Sequence, residues 1–133
     1  MSEFVQTLRV YFEDTDAGGV VYHANYLKFM ERCRSDWLRA LGFSQQILQQ
    51  QGVQFVVRRC LVDYHLPARL DDELSVSLSV AKLGRASLVF VQEVRRAQEL
   101  LCAAEVKVAC IDSVGLKPML IPATVAQAMT ALS

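Results

Sequence analysis

The chain has 133 residues, 53% hydrophobic and 21% charged, with Lys+Arg 14 against Asp+Glu 14. A chain of this size encloses about two thirds of its unfolded surface around one core, so residues 1–133 are expected to form a single ordered domain. The balanced charge excludes the basic excess of a nonspecific nucleic-acid binder, no apolar stretch is long enough for a membrane span, and MSEFVQTLRV, with Glu3 and no apolar core before a small-residue cleavage site, does not read as a secretory signal, so a cytoplasmic protein is expected.

Gln6 to Phe12 alternates Leu8 and Val10 with Thr7 and Arg9 before Tyr11 and Phe12, which predicts a half-buried strand. Glu13, Asp14, Asp16, Gly18 and Gly19 then crowd acidic turn formers and glycines into a loop, a composition for unusual dihedrals or close approach to something. Tyr26, Met30, Cys33, Trp37 and Leu41, broadened by Leu27 and Leu38, recur at helical spacing with Glu31, Arg32, Arg34, Ser35 and Asp36 opposite. This predicts an amphipathic helix of about four turns, with Asn25 as its cap and Gly42 as its left-handed stop. A short polar helix is expected over Ser44–Gln51, ended by Gly52.

Phe55 to His65 is β-rich and stops before Pro67. Arg58 and Arg59 are consecutive on it, so they are expected to face opposite sides. Glu73 to Val80 alternates strictly, and Ser87–Arg96 and Leu100–Asp112 follow across hairpin-sized gaps. Cys102, Ala104, Val106, Val108 and Cys110 share the apolar face of the last strand. Pro122–Leu132 suits a short terminal helix. One strand, one long helix and four strands in meander style give an α+β fold in which the sheet wraps the helix.

Cys33, Cys60, Cys102 and Cys110 are irregularly spaced and read as reduced core residues, and with only His23 and His65 beside them no metal site is expected. No serine-hydrolase elbow, phosphate loop or zinc motif is present. What remains is the acidic loop before the helix. A carboxylate there can serve as base or nucleophile while free helix N–H groups stabilise an oxyanion. Asp14 and Asp16 equally suit an ordinary Asx turn, and residue types alone leave both readings open.

The segment from Tyr11 to Tyr26, YFEDTDAGGVVYHANY, closely resembles the signature of hotdog-fold acyl-CoA thioesterases of the 4-hydroxybenzoyl-CoA thioesterase type. Within that family it is most similar to the small thioesterases associated with the Tol-Pal envelope system. The likeness continues through Glu31-Arg32, Trp37-Leu38, Phe43 to Gln46, Phe55 to Arg58, Pro67 to Asp72, Ser87 to Phe90 and Lys117-Pro118, covering almost the whole chain. It implies a hotdog fold, a five-stranded antiparallel sheet wrapped around one long central helix. It implies hydrolysis of an acyl-CoA without a cofactor, with Asp16 as nucleophile or general base and the main-chain N–H at His23 polarising the carbonyl. By the same resemblance Tyr22 lines the acyl pocket, Asn25 belongs to the motif, and Arg85 contacts the nucleotide end of coenzyme A; of the consecutive Arg58 and Arg59, one is expected to reach the ligand or a partner chain, with Arg58 named as the coenzyme A contact. Some relatives carry an aromatic residue at the His23 position and Pro at the Ala17 and Ala24 positions, so details of the carbonyl site do not transfer. The family's sites lie between subunits, which implies a homodimer or homotetramer. Delivery of the acyl group by coenzyme A or by acyl carrier protein stays open. A hotdog dehydratase and a non-catalytic acyl-carrier or lipid-enzyme adaptor are the competing readings.

Overall fold

The computed structural model describes residues 3–130. Its strands are β1 Phe4–Arg9, β2 Val53–Tyr64, β3 Glu73–Leu83, β4 Ser87–Arg96 and β5 Glu99–Asp112, and its helices are α1 Asn25–Ala40, α2 Gln45–Gln50 and α3 Ala123–Thr130. The strands form one antiparallel sheet in the order β1-β3-β4-β5-β2. The expected four-strand meander is therefore corrected. Only β3, β4 and β5 follow one another, while β2 crosses to the far edge and pairs with β5 from Val53↔Asp112 to Tyr64↔Cys102. The connection over 65–72 explains the crossing. It is too long for a hairpin, and it carries the fully buried Ala68 to the start of α1, where its amide donates to Tyr26 Oη at 3.0 Å and its carbonyl accepts from Val21 at 2.9 Å.

α1 lies on one face of the sheet and buries Tyr26, Phe29, Met30, Cys33, Trp37 and Leu38. Leu27, placed in the stripe by its apolarity, is exposed, and Phe29 takes the buried position. The Trp37 ring meets Phe90 edge-on with centroids 5.3 Å apart. Leu74, Val76, Leu78, Leu88, Phe90, Val94 and Val106 form the facing floor, each enclosed apolar side chain stabilising the fold by roughly 1.5–3 kcal/mol. Cys33, Cys102 and Cys110 are buried as expected, but Cys60 is exposed because β2 is an edge strand with a single neighbour.

β1 ends at Arg9, earlier than its composition suggests. Val10 instead exchanges backbone hydrogen bonds with Asp72 and Asp71, and Asp14 Oδ2 accepts from the Tyr11 amide at 2.8 Å, closing a single 3-10 turn over Phe12–Asp14. Gly42 adopts φ +99° beyond α1, and Ser44 Oγ accepts from the Ile47 amide at the start of α2. α3 begins after Pro122, and Leu132 of the expected terminal helix lies outside the described residues. No helix among the described residues is long and apolar enough to cross a membrane.

Candidate active site

The acidic loop folds back on itself through a bridge between Thr15 and Val21 and a bond from the Asp16 amide to the Val20 carbonyl at 2.9 Å. Gly19 holds φ +80°, which an L side chain rarely adopts. Asp16 Oδ1 accepts from the Gly18 amide at 2.9 Å, and a Cβ on Gly18 would stand 3.2 Å from that oxygen. The Asx-type geometry is thus present, yet it occupies one carboxylate oxygen only. Oδ2 of the exposed Asp16 takes no hydrogen bond from the described residues.

The helix start beside this loop is tied down from three directions. Asn25 Nδ2 donates to the Asp14 carbonyl at 2.9 Å, Tyr64 Oη donates to the His23 carbonyl at 3.0 Å, and Tyr26 Oη accepts from Ala68. Asn25 is therefore not the helix cap. Ala24 holds that position in αR conformation, φ −69° and ψ −21°, without a side-chain cap, and Asn25 is already the first helical residue. Its amide fastens the acidic loop to the helix instead. The backbone N–H groups of His23 and Ala24 meet no acceptor among the described residues.

The exposed His23 imidazole lies 4.6 Å from the Tyr22 ring and 6.1 Å from Tyr64, centroid to centroid. With Val21, Tyr26, His65 and Pro67 it lines a cleft of about 250 Å³. Burial pushes both tyrosine hydroxyls, Tyr26 and Tyr64, up from their ordinary range, which keeps them neutral hydrogen-bonding groups. Sequence reasoning missed Tyr64 and the 65–67 segment. Only the crossing of β2 brings them to the helix start, and periodicity carries no record of that.

A second cavity, about 130 Å³, opens between α1 and the sheet beside Trp37, Leu38, Phe55, Leu88, Phe90 and Val108. At its rim Arg34 donates to Gln92 Oε1 at 2.9 Å, and the fully buried Gln92 donates to the Met30 carbonyl at 3.0 Å. Burial lowers the Arg34 guanidinium below its ordinary range.

The two predicted coenzyme A contacts lie away from Asp16. Arg85 is in the β3–β4 hairpin, its carbonyl accepting from Ile121 at 2.8 Å. Glu73 pairs with Arg9 near the acidic loop, and at ~3.3 Å per residue β3 carries the chain about 30 Å from there to the hairpin. One chain does not bring Asp16 and Arg85 together. Arg58 corrects the expectation of opposite faces. The β2–β5 register shifts between Val57 and Arg59, so Arg58 is a bulge residue, and both arginines fall on the face away from α1. Among the described residues no three His, Cys, Asp or Glu side chains converge as a metal-ligand set.

The thioesterase superfamily model matches residues 18–103. The chain belongs to the thioesterase superfamily. This superfamily member is 49% identical over 119 residues to an acyl-CoA thioester hydrolase, YbgC, of Escherichia coli, with 89% of each chain covered. It is 48% identical over 116 residues to the acyl-CoA thioesterase YbgC of Haemophilus influenzae, covering 86% of this chain and 85% of that one. Among solved structures, a probable thioesterase from Bartonella henselae superposes with TM-score 0.87 at 34% identity, covering 91% of this chain and all of that one. A 1,4-dihydroxy-2-naphthoyl-CoA thioesterase from Synechocystis superposes with TM-score 0.90 at 25% identity, covering 98% and 97%. The five-stranded antiparallel sheet with its long helix is therefore the hotdog fold. The superfamily match begins two residues after Asp16, so the role of that carboxylate rests on its geometry.

Proposed function

We propose that this protein hydrolyses acyl-CoA thioesters to a free acid and coenzyme A, with Asp16 as nucleophile or general base. The observation that carries the reading is the open Oδ2 of Asp16 beside the unclaimed N–H groups of His23 and Ala24. These amides are fixed before substrate arrives, so they stabilise the developing oxyanion without reorganising at the moment of reaction. Attack on the thioester carbon, by the carboxylate or by water it deprotonates, breaks the C–S bond and releases coenzyme A as thiolate. In the first route water then cleaves the mixed anhydride and restores Asp16. Tyr22 and the His23 side chain border the acyl end, Arg58 and Arg85 the coenzyme A end, and Asn25 positions the acidic loop.

The separation of Asp16 from Arg85 within one chain, together with the unpaired outer edge of β2, supports a site completed by a second copy in a homodimer or homotetramer. The acyl donor, coenzyme A or acyl carrier protein, and a cytoplasmic setting belong to the same reading. The test is chromatographic detection of coenzyme A released from short, long and aromatic acyl-CoAs by wild type and Asp16→Asn. A loss of about 10²–10⁴-fold in the variant is expected, with fold and oligomer unchanged. Equal turnover in both removes Asp16 from the chemistry. Thioester binding without turnover marks an adaptor, and enoyl formation from a 3-hydroxyacyl thioester without thiol release marks a dehydratase. A purely monomeric species by light scattering overturns the shared site.

A further inference from the structure

Tyr64 ends β2 opposite the fully buried Cys102, and the amides of His65 and Leu66 that follow it donate to the Leu101 carbonyl at 2.8 and 3.1 Å. The backbone beneath the tyrosine ring is therefore fixed. The ring itself meets Tyr26 edge-on, with centroids 5.6 Å apart, and stands nearly perpendicular to the His23 imidazole, so it is braced from two sides. From that position Oη donates to the His23 carbonyl at 3.0 Å. No backbone N–H reaches this carbonyl among the described residues. The turn that leads into α1 closes one residue earlier, from the Asn25 amide to the Tyr22 carbonyl at 2.8 Å, and the Leu27 amide donates to Ala24. The Tyr64 hydroxyl is thus the sole donor to a carbonyl at the helix start. Its side chain is half-exposed, where water can serve the hydroxyl almost as well, so the fold gains little from the bond.

The His23 carbonyl and the Ala24 N–H are the two ends of one planar trans peptide and point in opposite directions. A donor that holds the carbonyl also aims the amide, and by drawing electron density toward the oxygen it makes the N–H a stronger donor. We infer that Tyr64 is a positioning residue of the oxyanion site: its hydroxyl fixes and polarises the His23–Ala24 peptide from behind, so that the Ala24 N–H meets the charge developing on the thioester oxygen. The inference rests on the proposed thioesterase chemistry, and it separates the two open amides of the helix start. The His23 amide belongs to a peptide whose carbonyl takes a backbone bond from Asn25, and only the Ala24 amide is backed by a side chain. As negative charge grows on the substrate oxygen, the His23 carbonyl becomes a better acceptor, so the Tyr64 bond is strongest at the transition state. The proton stays on Tyr64 throughout. Burial raises its hydroxyl above the ordinary range, which keeps the donor in place at neutral pH.

The test is Tyr64→Phe in the full chain, which keeps the ring between Tyr26 and His23 and removes only the hydroxyl. With an acyl-CoA that wild type hydrolyses, kcat is expected to fall about tenfold while KM stays unchanged, a smaller loss than the roughly 10²–10³ that removing a direct oxyanion donor causes. The melting temperature is expected to match that of wild type. A second measurement needs no substrate. In isotope-labelled protein the amide nitrogen resonance of Ala24 should move upfield in the variant, because its peptide carbonyl has lost the hydroxyl. An unchanged kcat, a raised KM at unchanged kcat, or an Ala24 resonance that does not move overturns the inference. A fall in kcat accompanied by a lower melting temperature marks a structural role and overturns it as well. Wild type that releases no coenzyme A from any thioester, with the Ala24 resonance still moving, fails the proposed function alone. An active wild type with an equally active Tyr64→Phe fails the inference alone.

Discussion

Gln92→Leu isolates the polar bridge under α1. Leucine approximates the glutamine volume, so packing around β4 is largely kept, but Oε1 no longer accepts from Arg34. The Met30 carbonyl loses the Nε2 donor at 3.0 Å while retaining its place in the helical ladder, so its share is small. The Arg34 guanidinium, already driven below its ordinary pKa by burial, is left half-buried without that partner. A hydrogen bond to a charged group contributes about 1.5–3 kcal/mol, so a loss of about 2–3 kcal/mol is expected. For a chain of this length that corresponds to a fall in Tm of roughly 6–15 °C. Urea unfolding followed by the fluorescence of Trp37, the single tryptophan, reads the change at fixed protein concentration, with the slope m unchanged. Adding Arg34→Met removes the stranded cation and should restore at least half of the loss. A Gln92→Leu protein as stable as wild type, or strict additivity in the double variant, refutes the account.

Two further expectations concern titration and reactivity. Burial raises the Asp72 carboxyl, but hydrogen bonds from Arg96 and the Arg69 amide, with their charges, outweigh it and hold the group below the usual carboxylate range. Its contribution is therefore complete above the ordinary aspartate value of about 3.9 and lost as pH falls through the depressed one. Asp72→Asn should be less stable than wild type at neutral pH, with the gap closing in acid, and a gap constant down to strong acid contradicts the assignment. Among the cysteines, Cys60 should react first with a maleimide in the folded protein. Burial pushes Cys33 and Cys102 up to about 12 and raises Cys110, so labelling of those three should require unfolding, and equal rates for all four would count against the burial pattern.

Local pattern made much of this molecule legible. The spacing of Tyr26, Met30, Cys33 and Trp37 located α1, and Cys102 to Cys110 fixed the inward face of β5, because each arises from a period set within one segment. Leu27 was misplaced because apolarity alone does not say where the centre of a helical stripe falls, and Phe29 lies nearer to it. The position of β2 and the bulge at Arg58 belong to the register between strands distant in the chain, and register has no signature in the alternation of one strand. The acidic loop was recognisable from its residues. Its attachments were not, since Tyr64 and Ala68 reach the helix start only after β2 has crossed the molecule.

That crossing also orders the assembly of the chain. β3, β4 and β5 are joined by short turns and close with little loss of chain freedom. β2 must find a partner about forty to sixty residues further along, from Cys102 to Asp112, and cannot pair until that segment exists. On a ribosome α1 and β2 therefore emerge with their apolar sides uncovered while the three-strand meander is still being made. Docking of β2 is then a late event, and the same event delivers Tyr64 to the His23 carbonyl, so the helix start beside the acidic loop is completed late.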